Sequence, residues 1–233
     1  MKKKTISAIV ALVTAGLVLA GGLASREDPA SILKNLAVFQ STGNESGALE
    51  ENPERTGFPE SMVKTDKEGI TPFGYIEARV TGVIDGDTFH AEYKNEEYKV
   101  RMLDIDTPES VKSGVSPQPY SGEASEVTGK MLSGKTVKLI FEKGIYDPFD
   151  RLLAHVILED GTYYNAFMVQ NGYAISVFYS PNTLLREYFK DLQDKAIAGK
   201  MGFWKLPEKE RPFIKDSKGN FTAAYKLKKK KAS

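Results

Sequence analysis

The chain has 233 residues, of which 41% are hydrophobic, so it is long enough to bury the core of one or two globular domains. Its formal net charge is +1, and therefore any attraction to a polyanionic partner has to be local rather than global. The chain contains no cysteine, which excludes disulfides, thiolate metal ligands and cysteine nucleophiles.

The N-terminus has the pattern of a secretory signal peptide. Three lysines precede an uncharged run from Ile6 to Ala24, which ends in small residues that suit a cleavage site. The run is also about long enough to cross a bilayer, since a spanning helix needs roughly 17–25 residues. We therefore predict a signal peptide over residues 1–24, with an uncleaved membrane anchor at residues 6–24 as the alternative. In both cases the rest of the chain is expected outside the cytoplasm, secreted or held at the cell surface.

Residues 25–70 are predicted to be a linker or a pro-segment. The composition shifts there to Glu, Ser, Asn, Gly and Thr, and little apolar periodicity remains. Such a composition buries too little apolar surface to offset the entropy lost on ordering the chain. We expect this stretch to be flexible and to carry no chemistry.

Regular strand patterns begin near residue 71 and define a domain that is predicted to end at residue 208. The predicted strands cover residues 75–84, 88–93, 97–105, 136–141 and 152–158, and the predicted helices cover residues 121–132, 165–171 and 184–198. Ser121 is placed to cap the first helix. Five short strands with three helices favour a mainly β, α+β fold, the five-stranded barrel called the OB-fold.

Residues 209–233 are predicted to form a basic C-terminal tail. From Arg211 onwards, eight basic residues accompany a single acid, Asp216, and the apolar pattern fades. Such a segment is most often a disordered, solvated tail. The alternative is an arm that follows the phosphates of a nucleic acid and makes binding sensitive to salt.

Charged residues are concentrated in three clusters at the ends of predicted strands. The clusters are Asp85-Gly86-Asp87-Thr88, then Arg101 with Asp104, Asp106, Thr107 and Glu109, and finally Asp150-Arg151. Carboxylate and carbonyl oxygens suit a hard cation such as calcium, and an arginine fork matches phosphate oxygens. A glutamate beside them could position or deprotonate a water molecule. These residue types are the parts of a phosphodiesterase site.

Each cluster also has an ordinary structural explanation. Asp85-Gly86 is a common hairpin turn, and Asp106 could cap a turn. Arg101 and Arg151 could be surface residues or ion-pair partners, and Asp104 could simply face the solvent.

Arg101 and Asp106 meet only under one geometric condition. They are five residues apart, so a straight strand would point them to opposite faces. The two side chains converge only if the chain bends after Leu103.

The order and spacing of the three clusters resemble the staphylococcal nuclease, or thermonuclease, family. The resemblance extends from about Ala78 to Trp204 and includes the stretches GEASEVTGKML, AFMVQNGYA and VFYSPN. It implies an OB-fold barrel with three helices that hydrolyses single- and double-stranded DNA and RNA with calcium. It also implies cleavage on the 5′-oxygen side, which leaves 3′-phosphate ends. No obligate protein partner is implied, and a monomer is expected.

The resemblance also implies roles for individual residues. The implied roles are calcium ligands for Asp87, Asp106 and the Thr107 carbonyl, an outer acid near the metal for Asp85, grip on the reacting phosphate for Arg101 and Arg151, general base or water orientation for Glu109, and nucleotide contact for Tyr179 and Tyr120. Two positions depart from the family. Its lysine-tyrosine pair is here Pro148-Phe149, and a second tyrosine corresponds to Val177. These departures predict a weaker grip on a terminal phosphate and a shift toward internal cleavage.

Two other classes of protein remain open from the sequence. A non-catalytic OB-fold binder shares the fold, but it would not need both carboxylates and both arginines. A surface-anchored adhesion or structural protein fits the apolar N-terminus and leaves the combined motif unexplained. A serine or cysteine hydrolase is disfavoured, because the chain has no cysteine and no Gly-x-Ser-x-Gly elbow. His90 and His155 lie in strand-like contexts and are expected to be structural.

Overall fold

The computed structural model describes residues 57–65, 67–110 and 116–231. The predicted signal peptide and most of the predicted linker lie outside these residues. In the part of the chain that is described, no helix combines the length and the apolar character needed to cross a membrane.

The central element is a closed, five-stranded β-barrel. The strands are β1 (Lys67–Glu68), β2 (Gly74–Val83), β3 (Thr88–Tyr93), β4 (Glu96–Met102), β5 (Ile105–Asp106), β6 (Thr136–Ile140), β7 (Leu152–Ile157), β8 (Ile175–Ser176), β9 (Phe213–Lys215) and β10 (Phe221–Ala223). Strands β2, β3, β4, β7 and β6 are neighbours in that order, and pairing of β6 with β2 closes the barrel. Only the β4–β7 pair within this barrel is parallel. The predicted OB-fold is confirmed.

Within the described residues, four α-helices accompany the barrel. They are α1 (Ser121–Leu132), α2 (Tyr164–Gln170), α3 (Arg186–Ala198) and α4 (Ala224–Lys231). The predicted bounds of the first helix are confirmed, but its predicted cap is wrong. Ser121 is the first helical residue and is buried, while the capping position is Tyr120, which has a φ of 67° and no side-chain capping bond.

The barrel core follows from the alternation of side chains along each strand. In β2, Ile76, Ala78 and Val80 are buried, whereas Glu77 and Arg79 are exposed. This period of two places one face of the strand inside the barrel and the other in solvent. Burial of the apolar face gives the barrel its stability, at roughly 25 cal/mol per Å² of apolar surface.

The third predicted strand, residues 97–105, is broken in the structure. Strand β4 ends at Met102, and the chain turns through Leu103 and Asp104, whose φ is 62°. The Leu103 amide donates to the Ala154 carbonyl at 2.9 Å, and the Leu103 carbonyl accepts from Asn165 Nδ2 at 2.8 Å. This bend meets the condition under which Arg101 and Asp106 can face each other.

The structure differs from the predicted solvated tail after Arg211. Strands β9 and β10 pair with each other, and Phe213 and Ala223 are buried in a second core with Trp204. The Arg211 guanidinium donates to the carbonyls of Leu206 and Trp204 at 2.9 and 3.0 Å. The sequence pattern hides this packing, because the aromatic residues are widely spaced among lysines and show no regular period.

The end of the predicted linker is packed against the folded domain, whereas the sequence predicts a flexible stretch there. Val63 is buried, the Phe58 ring packs 5.1 Å from the Tyr163 ring, and Lys67–Glu68 pairs with the start of β2. Single apolar residues that fill gaps on a preformed barrel produce no periodicity, so the composition of this stretch does not reveal them.

Candidate active site

Asp87 is the centre of a buried hydrogen-bond network in the turn between β2 and β3. Its Oδ2 accepts hydrogen bonds from the backbone amide and the hydroxyl of Thr107, at 2.7 and 2.8 Å. Its Oδ1 accepts from the Thr88 hydroxyl at 3.0 Å. Hydrogen bonds to a charged group are the stronger kind, so these contacts fix the orientation of the carboxylate.

The Arg101 guanidinium joins two carboxylates. Its Nη1 lies 2.9 Å from Asp87 Oδ1, and its Nη2 lies 3.0 Å from Asp106 Oδ1. Burial by itself lowers the pKa of Arg101, but the charges of Asp87 and Asp106, followed by Asp85 and Tyr179, raise it above its usual value. The guanidinium therefore stays charged and holds two turns of the chain together.

Gly86 allows the two turns to approach closely. A Cβ at this position would lie 2.8 Å from Thr107 Cγ2, so a larger residue would displace Thr107. The Gly86 carbonyl accepts a hydrogen bond from the Thr128 hydroxyl of α1 at 2.8 Å. Asp85 Oδ1 accepts from the Asp87 amide at 3.1 Å, which places a third carboxylate beside the pair.

The carboxylates outnumber the positive charge in this cluster. Burial, followed by the charge on Asp87, raises the pKa of Asp85 to about 7. Burial also raises the pKa of Asp106 to about 6, against the opposing charges of Arg101 and Lys226. Three carboxylates beside one guanidinium leave an excess of negative charge on oxygen donors. This donor set fits a hard divalent cation.

Asp85→Asn should stabilise the protein at high pH when no divalent cation is present. The folded-state pKa of Asp85, about 7, lies above its usual value of 3.8, so its contribution to stability is complete below pH 3.8 and is lost as the pH rises through 7. We expect the variant to gain about 1–2 kcal/mol over the wild type at about pH 8, and the gain to vanish in acid. Urea unfolding in a chelator, across this pH range, measures the difference.

The exposed Glu77 on β2 provides a matched control for this carboxylate. Glu77→Gln removes one negative charge without touching the cluster. An equal gain in stability in both variants would show that overall charge, and not crowding around Asp87, is the cause.

Arg151 belongs to a separate network at the start of β7. Its Nε and Nη2 lie 2.7 and 2.6 Å from Asp147 Oδ2, and its backbone amide donates to Asp147 Oδ1 at 3.0 Å. Burial raises the pKa of Asp147, but the hydrogen bonds from Arg151 and Phe149 outweigh it and lower that pKa. The structure thus pairs Arg151 with Asp147 and, among the described residues, gives it no ion pair with the Asp87–Arg101–Asp106 cluster.

Glu109 is positioned by a residue that the sequence does not single out, Gln118. The Glu109 amide donates to Gln118 Oε1 at 2.9 Å, and the Gln118 amide donates to the Glu109 carbonyl at 2.9 Å. Gln118 Nε2 also donates to the Pro212 carbonyl at 2.7 Å, which links the Glu109 segment to the second core. A lone glutamine in an irregular segment carries no sequence signal for such a role.

Tyr179 and Tyr120 have different surroundings. Tyr179 is 72% exposed and contributes to the charge environment of Arg101, so its ring is available at the surface beside the cluster. The Tyr120 ring packs edge-on against Phe203 at 6.3 Å, and Lys205 Nζ lies 5.6 Å from its centroid. Much of the Tyr120 ring therefore serves to pack the second core.

The fold is an OB-fold barrel, and an arginine near the end of one of its strands joins two carboxylates. The sequence pattern of the family "Staphylococcal nuclease homologue" matches residues 99–206. A thermonuclease of Staphylococcus hyicus is 35% identical over 126 residues, which is 54% of this chain and 74% of that protein. Endonuclease YncB of Bacillus subtilis (strain 168) is 30% identical over 148 residues, 60% of this chain and 70% of that protein. The chain belongs to the staphylococcal nuclease family.

The similarity also extends to a relative whose name states no activity. An uncharacterized protein of Bacillus anthracis is 35% identical over 133 residues, which is 56% of this chain and 62% of that protein. The chain thus spans less than two thirds of that relative. Asp85 and Asp87 precede the stretch that matches the family pattern, so their assignment rests on the contacts with Arg101 and Thr107.

Proposed function

We propose that the protein is a calcium-dependent nuclease of the thermonuclease type, which hydrolyses phosphodiester bonds in both DNA and RNA. The observation that carries the proposal is the convergence of Asp87 and Asp106 on one guanidinium, at 2.9 and 3.0 Å from Arg101. The names of two relatives, thermonuclease and endonuclease, support the same activity.

The oxygen donors of the cluster would hold the calcium ion. Asp87 and Asp106 would supply carboxylates, Thr107 its carbonyl, and Asp85 an additional negative charge beside them. Calcium, when bound, supplies positive charge that polarises the phosphate and favours deprotonation of a nearby water. The excess negative charge of the cluster supports a divalent ion, and the oxygen-only donors support calcium.

The remaining residues would act on the phosphate and on the attacking water. Arg101 and Arg151 would donate paired hydrogen bonds to the phosphate oxygens, where negative charge builds up in the transition state. Glu109 would orient the water and accept its proton as the water oxygen bonds to phosphorus. The bond from phosphorus to the 5′-oxygen then breaks, and that oxygen takes a proton from solvent. The products carry a 3′-phosphate and a 5′-hydroxyl.

The proposed contacts explain why both polymers are expected as substrates. Arg101 and Arg151 would contact phosphate oxygens, which DNA and RNA share, and such contacts carry no direct sequence information. Tyr179, exposed beside the cluster, would stack on a base, and stacking tolerates any base. Pro148-Phe149 lacks the cation and hydroxyl that would hold a terminal phosphate, which favours internal cleavage.

We also propose that the protein acts outside the cytoplasm as a monomer. The basic N-terminus and the apolar run to Ala24 support export, either with cleavage or with retention of residues 6–24 as a membrane tether. Mass spectrometry of the protein recovered from the medium and from the membrane of an expressing cell would locate its N-terminus.

The deciding experiment follows cleavage of circular single-stranded DNA and of long RNA by residues 26–233. Reactions contain calcium, magnesium or a chelator. We expect calcium-dependent cutting of both polymers, and DNA products that a polymerase extends only after phosphatase treatment. Cleavage of a circle demonstrates internal cutting, because a circle has no end. Binding of both polymers without cutting in any metal would replace the nuclease with a non-catalytic OB-fold binder.

The C-terminal appendage, residues 211–231, adds a cation to the cluster. Its helix α4 places Lys226 close enough to Asp106 to oppose the rise in pKa that burial causes in that carboxyl. The Lys226 side chain is exposed, so it is free to approach a phosphate of the substrate. We therefore propose that the appendage extends the binding surface for nucleic acid.

Lys226→Ala should weaken binding of single-stranded DNA and lower its salt dependence. Loss of one phosphate contact is expected to reduce the slope of log affinity against log salt by about 1. Fluorescence anisotropy in a chelator, which prevents cleavage, measures the slope. Lys195 on α3, exposed and paired with Asp191, provides the control, and Lys195→Ala should leave the slope unchanged. Equal slopes for all three proteins would contradict a role for the appendage.

A further inference from the structure

Asp104, Glu142 and His155 form a buried cluster that the proposed reaction does not use. Their exposures are 4%, 0% and 0%. One carboxylate oxygen or ring nitrogen from each residue lies within 4.8 Å of those of the other two. The three residues come from the bend after β4, the segment after β6 and the middle of β7. The cluster therefore joins three separate parts of the barrel.

Asp104 is the residue in this cluster that protein contacts leave unexplained. Instead of facing the solvent, as the sequence allows, its carboxylate is buried, and neither oxygen has a hydrogen-bond partner among the described residues. A buried carboxyl group needs hydrogen-bond or ligand partners whether or not it is charged. A buried carboxylate with two unpartnered oxygens is suited to hold a further ligand.

We propose that Asp104, Glu142 and His155 bind one divalent metal ion of the zinc type. One imidazole nitrogen and two carboxylates form a three-ligand set that zinc accepts, with water in the fourth position. The two negative charges are balanced by the dication. The imidazole distinguishes this site from the calcium cluster, because calcium takes oxygen ligands whereas imidazole suits zinc and its neighbours.

The groups around the cluster already orient the ligands. His155 Nε2 points to Glu142 Oε1 at 3.2 Å, and its Nδ1 lies 2.7 Å from the Tyr163 hydroxyl. When Nε2 is unprotonated and binds the ion, Nδ1–H donates to the Tyr163 oxygen. This arrangement, in which a ligating histidine donates its other N–H to an oxygen, is the usual support of a metal site. The Leu184 amide donates to Glu142 Oε2 at 3.4 Å, which holds the second ligand.

The position of Asp104 gives the site a structural consequence. The residue forms the bend between Arg101 on β4 and Asp106 on β5, and its carbonyl accepts from the Val177 amide at 3.0 Å. An ion on its carboxylate would tie this bend to β7 through His155. The ion would hold the bend in place without contact with the substrate. The inference is independent of the proposed nuclease activity, because it concerns the metal content and stability of the fold.

The test is metal content after refolding, since a fully buried site fills as the chain folds. The protein is unfolded, refolded with zinc, cobalt or calcium, dialysed, and analysed by atomic emission. We expect one zinc or cobalt ion per chain that an excess of calcium does not displace. The cobalt form should show the strong visible absorption of a four-coordinate site. In zinc buffers, the thermal midpoint should rise with each tenfold increase in free zinc.

Matched variants separate this site from the calcium cluster. Asp104→Asn and His155→Phe should lose the zinc and the zinc-dependent rise in thermal midpoint. The double variant Asp87→Asn/Asp106→Asn should keep both. Asp104→Asn preserves the side-chain volume, so it gives a folded comparison even if His155→Phe does not fold. The proposal is overturned if the refolded wild type retains no zinc, or if Asp104→Asn retains as much as the wild type.

Discussion

Replacing Arg151 with alanine should slow phosphodiester cleavage by about 10²–10³-fold, the typical cost of removing one donor that stabilises transition-state charge. The free energy of unfolding should fall by only about 1 kcal/mol, because Arg151 and Asp147 form a pair that is still partly exposed to solvent. Asp147 would keep its hydrogen bond from the Phe149 amide at 2.9 Å, so the turn before β7 should stay formed. Initial rates on long single-stranded DNA with calcium, together with urea unfolding, measure both effects.

Two variants distinguish the loss of the paired hydrogen bonds from the loss of the positive charge. Arg151→Lys keeps the positive charge but cannot make two parallel hydrogen bonds, so its rate should stay close to that of Arg151→Ala. Arg79, exposed on β2, is the control for removing a cation, and Arg79→Ala should cleave at nearly the wild-type rate. If Arg151→Lys cleaved as fast as the wild type, the residue would serve only as a nearby charge.

The barrel is predictable from the sequence because each of its strands carries a local signal. In β3, Thr88–Tyr93 is bounded by an Asp-Gly turn and by a polar turn, and its predicted limits agree with the structure. In β2, apolar and charged residues alternate with the period of a strand. These features depend on neighbours in the chain, so pattern and chemistry together are enough to place them.

The bend at Asp104 is not predictable in the same way. The apolar run through Leu103 and Ile105 continues the strand pattern, and only tertiary contacts interrupt it. The Asn165 side chain binds the Leu103 carbonyl at 2.8 Å from sixty-two residues further along the chain. The left-handed φ of 62° at Asp104 is then held by packing rather than by local preference. The spacing of Arg101 and Asp106 shows that they can meet only if the chain bends after Leu103. It does not show whether the chain forms that bend.

The candidate site likewise contains residues that the sequence reveals and residues that it does not. Its charged residues stand out in the sequence as three dense clusters, and two of those clusters join in the structure through Arg101. The supporting residues do not stand out. Gln118 acts through hydrogen bonds to the Glu109 amide and to the Pro212 carbonyl, ninety-four residues further along the chain, and nothing in its immediate sequence marks it. Supporting roles of this kind depend on distances between elements, which local patterns do not contain.

Replacing Arg101 with leucine should abolish most of the activity and also destabilise the protein. The guanidinium is largely buried and is the counter-charge for Asp87 and Asp106, so its removal leaves two carboxylates without their partner. Breaking such a pair costs roughly 3–5 kcal/mol, and we expect a value near 3 because Asp106 is partly exposed. Cleavage should fall by at least about 10²-fold, since a phosphate-binding fork is lost as well. Initial rates and urea unfolding in a chelator measure the two losses.

Calcium should restore part of the stability of Arg101→Leu but none of its activity. In that variant the carboxylates of Asp87 and Asp106 can still bind the dication, which then supplies the missing counter-charge and stabilises the folded state by mass action. Arg101→Lys separates the effects further, because a lysine keeps the charge and therefore most of the stability, yet lacks the fork that holds a phosphate. If calcium left the stability of Arg101→Leu unchanged, Asp87 and Asp106 would not be the ligands of the ion. The activity would then have to depend on a different metal site.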